Sequence, residues 1–175
     1  LQVRSALQVA QKLGRVLVMP KLYCGFDRWW APHKGTIPGS DTTLPYLCPM
    51  DHVFEVETWI REQPVEEAGP HIDFREYSFF QNHLVPSSVK DSTVTVSLVD
   101  ECGRDECTQA MGKAAPGGKD TIVAAKNFTD VQVATLLEEY KDVKVLNFTS
   151  MVGAFGRFED PADAKKFSNR IKRYA

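Results

Sequence analysis

The stretch TIVAAKNFTDVQVATLLEEYKDVKVLNF (121–148) decides the fold class. TIVAA (121–125) is short, apolar and partly β-branched, which is the composition of a strand. Asp130 then stands where a helix N-cap is needed, for a helix running to Tyr140. KVLNF (144–148) is a second strand, reached after a short link. A strand, a helix and a strand joined this tightly fold as a right-handed parallel unit, since the crossover helix must lie back on the sheet. A closing helix follows. It has Asp160 as N-cap and Pro161 at its first position, where the missing N–H is no loss. Phe167, Ile171 and Tyr174 share one of its faces.

Working back toward the N-terminus, Val3, Ala6, Leu7, Ala10 and Leu13 recur at steps of three and four, one apolar stripe of a helix over 2–13. Gly14 supplies its stop. RVLVMP (15–20) is a near-continuous apolar run, the signature of a strand buried on both faces in a helix-covered parallel sheet. TVTVSLV (93–99) is a strand by composition, and HIDFREYSFF (71–80) a strand or extended segment. Residues 51–61 read as a helix capped by Asp51 or as the start of a strand. Residues 101–120, rich in Gly, Lys and Asp, read as a flexible surface loop. Together these predict one domain over 1–175, a three-layer Rossmann-like α/β fold with a mainly parallel sheet.

Composition narrows the function. With 175 residues, 43% hydrophobic and 25% charged, the chain can bury a real core. A net charge of −2 gives no field that would steer it to nucleic acid or anionic lipid. It holds no run of eighteen apolar residues and no signal-peptide pattern. It opens at Leu1 inside a helical pattern without an initiator methionine, which suggests a piece of a larger protein. Cys24, Cys48, Cys102 and Cys107 fit no zinc or redox spacing. Of three connectivities we expect Cys24–Cys48 and Cys102–Cys107, with four unpaired thiols as the alternative. Sequons at Asn127 and Asn147 favour a secretory lumen, although Asn147 ends an apolar strand where a glycan fits poorly.

The chemistry concentrates in YCGFDRWWAPHKGTIPGS (23–40), within a long functional loop spanning 21–48 that leaves the carboxyl end of the first strand. Ligands of open parallel sheets collect at such ends. Trp29 and Trp30 offer flat faces for a sugar or base, Asp27 can accept hydroxyl hydrogen bonds, and Arg28, His33 and Lys34 can meet phosphate oxygens. The plainer alternative is that both indoles plug a core, each contributing ~2–3 kcal/mol by burial, with Asp27–Arg28 as a loop-fixing pair. Arg75 is a further candidate for a diphosphate, or a surface partner of Asp73 on the same strand face. Asp51 and His52 are adjacent and cannot form a dyad with each other. Asp100 and Glu101 end a strand without an Asp-x-Asp, and PGGK (116–119) lacks the phosphate-loop spacing. No catalytic residue and no metal ligand is identified.

ALQVAQKLGRVLVMPKLYCGFDRWWAPHKGTIPGS (6–40), LPYLCPMDHVFEVETW (44–59) and GPHIDFREYSFF (69–80) resemble plant and green-algal glycosyltransferase family 77. The likeness is to its hydroxyproline-linked arabinosyltransferases, of the reduced-residual-arabinose and extensin-modifying types. It runs from about Leu1 to Pro86 and more weakly through DVKVLNFTS (142–150) to FSNRIKRYA (167–175). The resemblance implies a type II, Golgi-lumenal enzyme moving L-arabinofuranose from a UDP-linked donor to arabinosylated hydroxyproline-rich glycoproteins. It also implies a divalent metal, manganese, held by an Asp-x-Asp in an upstream region, which makes this chain the C-terminal portion. AQKLGRVLVMP (10–20) is similar to the opening of protein O-fucosyltransferases, where it begins a Rossmann-like half. A competing class is a non-catalytic module that binds the acceptor or braces the transferase region.

Overall fold

Helix α1 (Gln2–Leu13) is the first element of the computed structural model, which describes residues 2–24, 41, 43, 45–60, 63–100, 107–108, 113–118 and 121–171. The helix is buried along Ala6, Leu7, Val9, Ala10 and Gln11, wider than a single stripe. The width has a cause: two cores meet on it. Leu7 and Ala10 join Trp59, Ile72 and Phe167, whereas Val9 joins Val96, Ile122, Val133 and Leu136. Gly14 ends the helix at φ 59°, a left-handed conformation costly to a side chain. The Gly14 and Arg15 amides donate back to the carbonyls of Gln11 and Ala10, which satisfies two helix-end acceptors.

Strand β1 (Leu17–Val18) follows and pairs in parallel with β4 (Phe74–Arg75), as a two-stranded sheet. Between them come β2 (Tyr23–Cys24) and β3 (Tyr46–Leu47), an antiparallel pair, and the short helices α2 (Glu57–Ile60) and α3 (Val65–Ala68). Asp51 does not cap a helix. It lies exposed within a 3-10 turn, Met50–His52, because Pro49 already stands at the N-cap position. Of the stretch 71–80 only β4 is strand, and Phe79–Gln81 close into another 3-10 turn.

After α4 (Ser87–Asp91) the larger sheet begins with β5 (Thr93–Val99). It adds β6 (Cys107–Thr108), β7 (Lys113–Gly118), β8 (Thr121–Ala125) and β9 (Val145–Phe148) in the order β6-β7-β8-β5-β9. β5 is parallel to β8 and β9, and the hairpin β6–β7 is antiparallel. The 101–120 stretch therefore supplies two strands where a loop is predicted. Edge pairing tolerates its Pro116 and Gly118, with a register shift between them. β8, α5 (Asp130–Leu137) and β9 form the predicted parallel unit, with β5 lying between the two strands. The chain is a mixed α/β protein with a parallel core.

Thr129, not Asp130, caps α5. Its hydroxyl accepts from the Gln132 amide and the Gln132 side chain returns to the Thr129 amide, a reciprocal capping box. This frees Asp130 for a tertiary role. It is 2% exposed and accepts from Lys12 Nζ at 2.5 Å and from the Glu159 amide at 2.8 Å. At the chain's end α6 (Pro161–Arg170) has the expected Asp160 cap and Pro161 start, with Phe167 fully buried. Arg170 is buried too and donates to the carbonyls of Thr58, Gln63 and Gly69 at 3.0, 3.1 and 2.7 Å. One guanidinium thereby pins the α2–α3 segment to α6.

Burial pushes the Asp130 carboxyl up, but the Lys12 hydrogen bond, the Glu159 amide and the Lys12 charge outweigh it and hold it below the ordinary range. Its unfolded value is about 3.9, so its stabilisation is complete above about pH 5 and fades as pH falls through the lower folded value. Asp130→Asn is expected to cost about 2–3 kcal/mol at pH 7, somewhat less than a fully buried pair because Lys12 is partly solvated. Urea midpoints at pH 7 and pH 3 check this: the gap between wild type and variant should shrink at pH 3, and an unchanged gap rejects the assignment.

Candidate functional site: a cleft between two strand edges

β1 and β9 belong to different sheets, yet both line one cleft of about 650 Å³. α1 forms a wall through Val3, Ala6 and Leu13, and Phe79, Phe80 and Val89 add further apolar surface. The cations lie at the ends of the strands. Arg75 closes β4 at its carboxyl end, beside Thr149 and Ser150, which follow β9. Arg15 and Lys144 precede β1 and β9 at the opposite end. Arg15 is already engaged: its guanidinium donates to the carbonyls of Tyr140, Val143 and Lys144, and burial lowers its pKa. Arg75 is exposed, and its Nη1 donates to the Phe74 carbonyl at 2.8 Å. The surface pair with Asp73 is not formed, which leaves that guanidinium at the carboxyl-end rim for an anion.

Asp27, Arg28, Trp29, Trp30, His33 and Lys34 lie outside the described residues. The ends of their segment are described. β2 and β3 pair Tyr23 with Leu47 and Cys24 with Tyr46, the Cys48 amide donates to the Leu22 carbonyl at 2.8 Å, and Cys24 is disulfide-bonded to Cys48. The chain thus leaves and returns through a clamped neck just beyond β1. Cys102 and the side chain of Cys107 lie outside the described residues, as does their predicted bond. The sequon asparagines 127 and 147 are exposed; Asn147 lines the cleft, and Thr129 of the first sequon is occupied in capping α5.

The other acidic candidates resolve without a metal site. Asp100 pairs with Lys126 at 2.8 Å, and among the described residues no cluster of three or more His, Cys, Asp or Glu is placed to hold a cation. Trp59 is fully buried between Phe54 and Phe74. Spacing does not reveal the cleft, because its walls come from distant parts of the chain, residues 2–20, 75–89 and 144–151. The pair Phe79-Phe80 in a stretch without period was the available hint.

Fold and cleft define a mixed α/β protein whose parallel strands converge on an open crevice. No protein-family model and no solved structure matches it. The chain is 42% identical over 173 residues to arabinosyltransferase XEG113 of Arabidopsis thaliana, an alignment covering 99% of this chain and 26% of that protein. It therefore spans about a quarter of the length of the curated relative it matches.

The Cys24–Cys48 bond spans a sequence separation of 24, and closing a loop of that size removes about 3–4 kcal/mol of unfolded-chain entropy. Cys24→Ser with Cys48→Ser is expected to lower stability by about 3 kcal/mol in denaturant melts. A loss under about 1 kcal/mol would show that the neck is held by the β2–β3 pairing alone.

Proposed function

We propose that this chain is part of a glycosyltransferase that moves L-arabinofuranose from UDP-arabinofuranose to arabinose already carried by hydroxyproline-rich cell-wall glycoproteins of the extensin type. The observation that carries the reading is the 42% identity to an arabinosyltransferase across 99% of the chain. The rim of the cleft at the carboxyl ends of β4 and β9, with Arg75, Thr149 and Ser150, supports the reading. Three-layer, Rossmann-like organisation is the architecture that fits these strands and helices.

Transfer requires that charge developing on the departing UDP be neutralised and that the acceptor hydroxyl lose its proton. Arg75 is the described guanidinium suited to the first task, with Arg28, His33 and Lys34 as its partners from the 21–48 loop. Trp29 and Trp30 would stack on a sugar ring, and Asp27 would accept from its hydroxyls. A divalent metal, manganese by family resemblance, belongs in this reading to a region outside the chain. The described residues do not fit a cation, so no step is routed through one. Golgi-lumenal residence with a single type II anchor outside the chain is part of the same proposal, supported by the Cys24–Cys48 bond and by the exposed side chain of Asn127. The contrasting reading, an acceptor-binding or bracing module, is favoured by the lack of an acid–base pair among the described cleft residues.

The test is transfer to an arabinosylated hydroxyproline peptide, with calorimetric titration of UDP alongside. Arg28→Ala, Trp29→Ala and Arg75→Ala, each in a polypeptide of the relative's length, are expected to lower transfer at least tenfold while leaving the melting temperature unchanged. Wild-type rates in all three would remove the site from this chain. UDP silence with peptide binding intact would select the acceptor module.

A further inference from the structure

We infer that the cleft between β1 and β9 is the seat of a β-strand, supplied by the part of the polypeptide that lies outside these 175 residues, and that this strand joins the two sheets into one. The inference rests on the fold and not on the reaction proposed above.

Three independent observations converge on it. The first is backbone direction. The amides of Leu17 and Met19 donate to β4, at 2.8 and 2.9 Å. Successive residues of a parallel strand present their peptide groups to opposite sides, so Val18 presents its N–H and carbonyl toward the cleft. On β9, Val145 and Thr149 donate to the Ser92 and Val96 carbonyls, at 2.9 and 3.0 Å. Leu146 and Phe148 therefore face the cleft in the same way. Among the described residues, β1 pairs only with β4 and β9 only with β5. Among the described residues, two ladders with unpaired edges front the same cavity.

The second observation is a mismatch between pattern and position. VLVM (16–19) has the composition of an interior strand, apolar on both faces, and VLNF (145–148) is apolar except for Asn147. Both occupy sheet edges here, and Leu17, Val18, Val145 and Leu146 are only half-buried. Natural edge strands are kept short or carry charges, prolines or bulges against unwanted pairing; β1 is short, but no charge or proline stands between Val16 and Met19.

The third is size and lining. A strand of four or five residues needs ~13–17 Å of length, ~4.8 Å of width and ~10 Å of sheet thickness, roughly 600–800 Å³. The cleft holds about 650 Å³. Val3, Ala6 and Leu13 from one element and Phe79, Phe80 and Val89 from others give it apolar walls, with the cations Arg15, Arg75 and Lys144 at the strand ends. Between those ends a ligand bearing phosphates would lose its hydration against the apolar walls, whereas an alternating or wholly apolar strand gains on both counts. The relative extends well beyond the matched stretch, which covers 26% of its length, and a polypeptide of that size is ample source for one strand.

The experiment is amide hydrogen exchange at Val18, Leu146 and Phe148, in the 175-residue chain and in the native polypeptide purified whole from its source. These amides are expected to exchange near unpaired rates in the short chain and at least 100-fold more slowly in the native protein. Equal, fast exchange in both overturns the inference, as does a native polypeptide with no residues beyond these. Protection already present in the short chain overturns it too, pointing to a second copy if it grows with concentration. Protection that appears only on adding UDP would assign the cleft to a nucleotide. As a second readout, Val18→Pro should lower the melting temperature of the native protein by at least 5 °C and leave the short chain within 1 °C. An equal effect on both would mean that Val18 matters only to β1. Loss of transfer activity alone leaves these exchange rates untouched, so a failed functional reading is distinguishable from a failed strand.

Discussion

Everything in this molecule turns on helix α1 being buried on two sides. Leu7 and Ala10 commit it to the core around Trp59 and Phe167, and Val9 commits it to the core under the five-stranded sheet. Burial alone would let it slide, since apolar contact is non-directional. Polar contacts at its end fix the register. Lys12 reaches the buried Asp130 at the start of α5, and Arg15, just past the Gly14 stop, gathers three carbonyls at the turn leading into β9. The spacing between β1 and β9 is thus set by one rigid body bonded to both halves.

The same logic explains the placement of buried charge. Arg170 and Asp130 are the deeply buried ionic groups among the described residues, and each ties an irregular segment to a regular one. Arg170 saturates carbonyls of the 58–69 stretch, where two short helices leave many backbone acceptors unmatched. Asp130 accepts the Glu159 amide, fastening the 149–160 connection to the head of α5. In both cases the cost of burying charge is offset by hydrogen bonds to backbone that would otherwise be orphaned.

Local signals in the sequence suffice where local physics decides. The Gly14 stop, the Asp160–Pro161 start and the strands 93–99 and 121–125 depend on a few neighbouring residues and appear as expected. Asp130 was misassigned by one position because Thr129 and Asp130 are both good caps; Gln132, three residues after Thr129, was the signal that chooses between them. Residues 101–120 misled for another reason. Composition rich in glycine describes backbone freedom, and an edge hairpin uses that freedom as readily as a loop does. Of the candidate site, Arg75 is described at the cleft rim, while the tryptophan-bearing segment is located only by its disulfide-clamped ends. The cleft itself depends on contacts between distant elements, which no spacing rule encodes.

A division of labour between the body and the rim of the cleft follows from its electrostatics. Arg15 is consumed by carbonyls, Lys144 stands at the amino end, and the wall between is aliphatic and aromatic, so no described side chain in the body offsets the lost hydration of a diphosphate. At the carboxyl end the balance reverses. Arg75, Thr149 and Ser150 are solvent-facing or half so, and the 21–48 loop with its Arg28, His33 and Lys34 leaves from the same end of β1. An apolar strand in the body would leave that rim open and would wall it off from below, raising the local field of Arg75 by excluding water beneath it. Sheet completion and anion binding are therefore compatible uses of one cleft, separated by the few ångströms between the middle of a strand and its end.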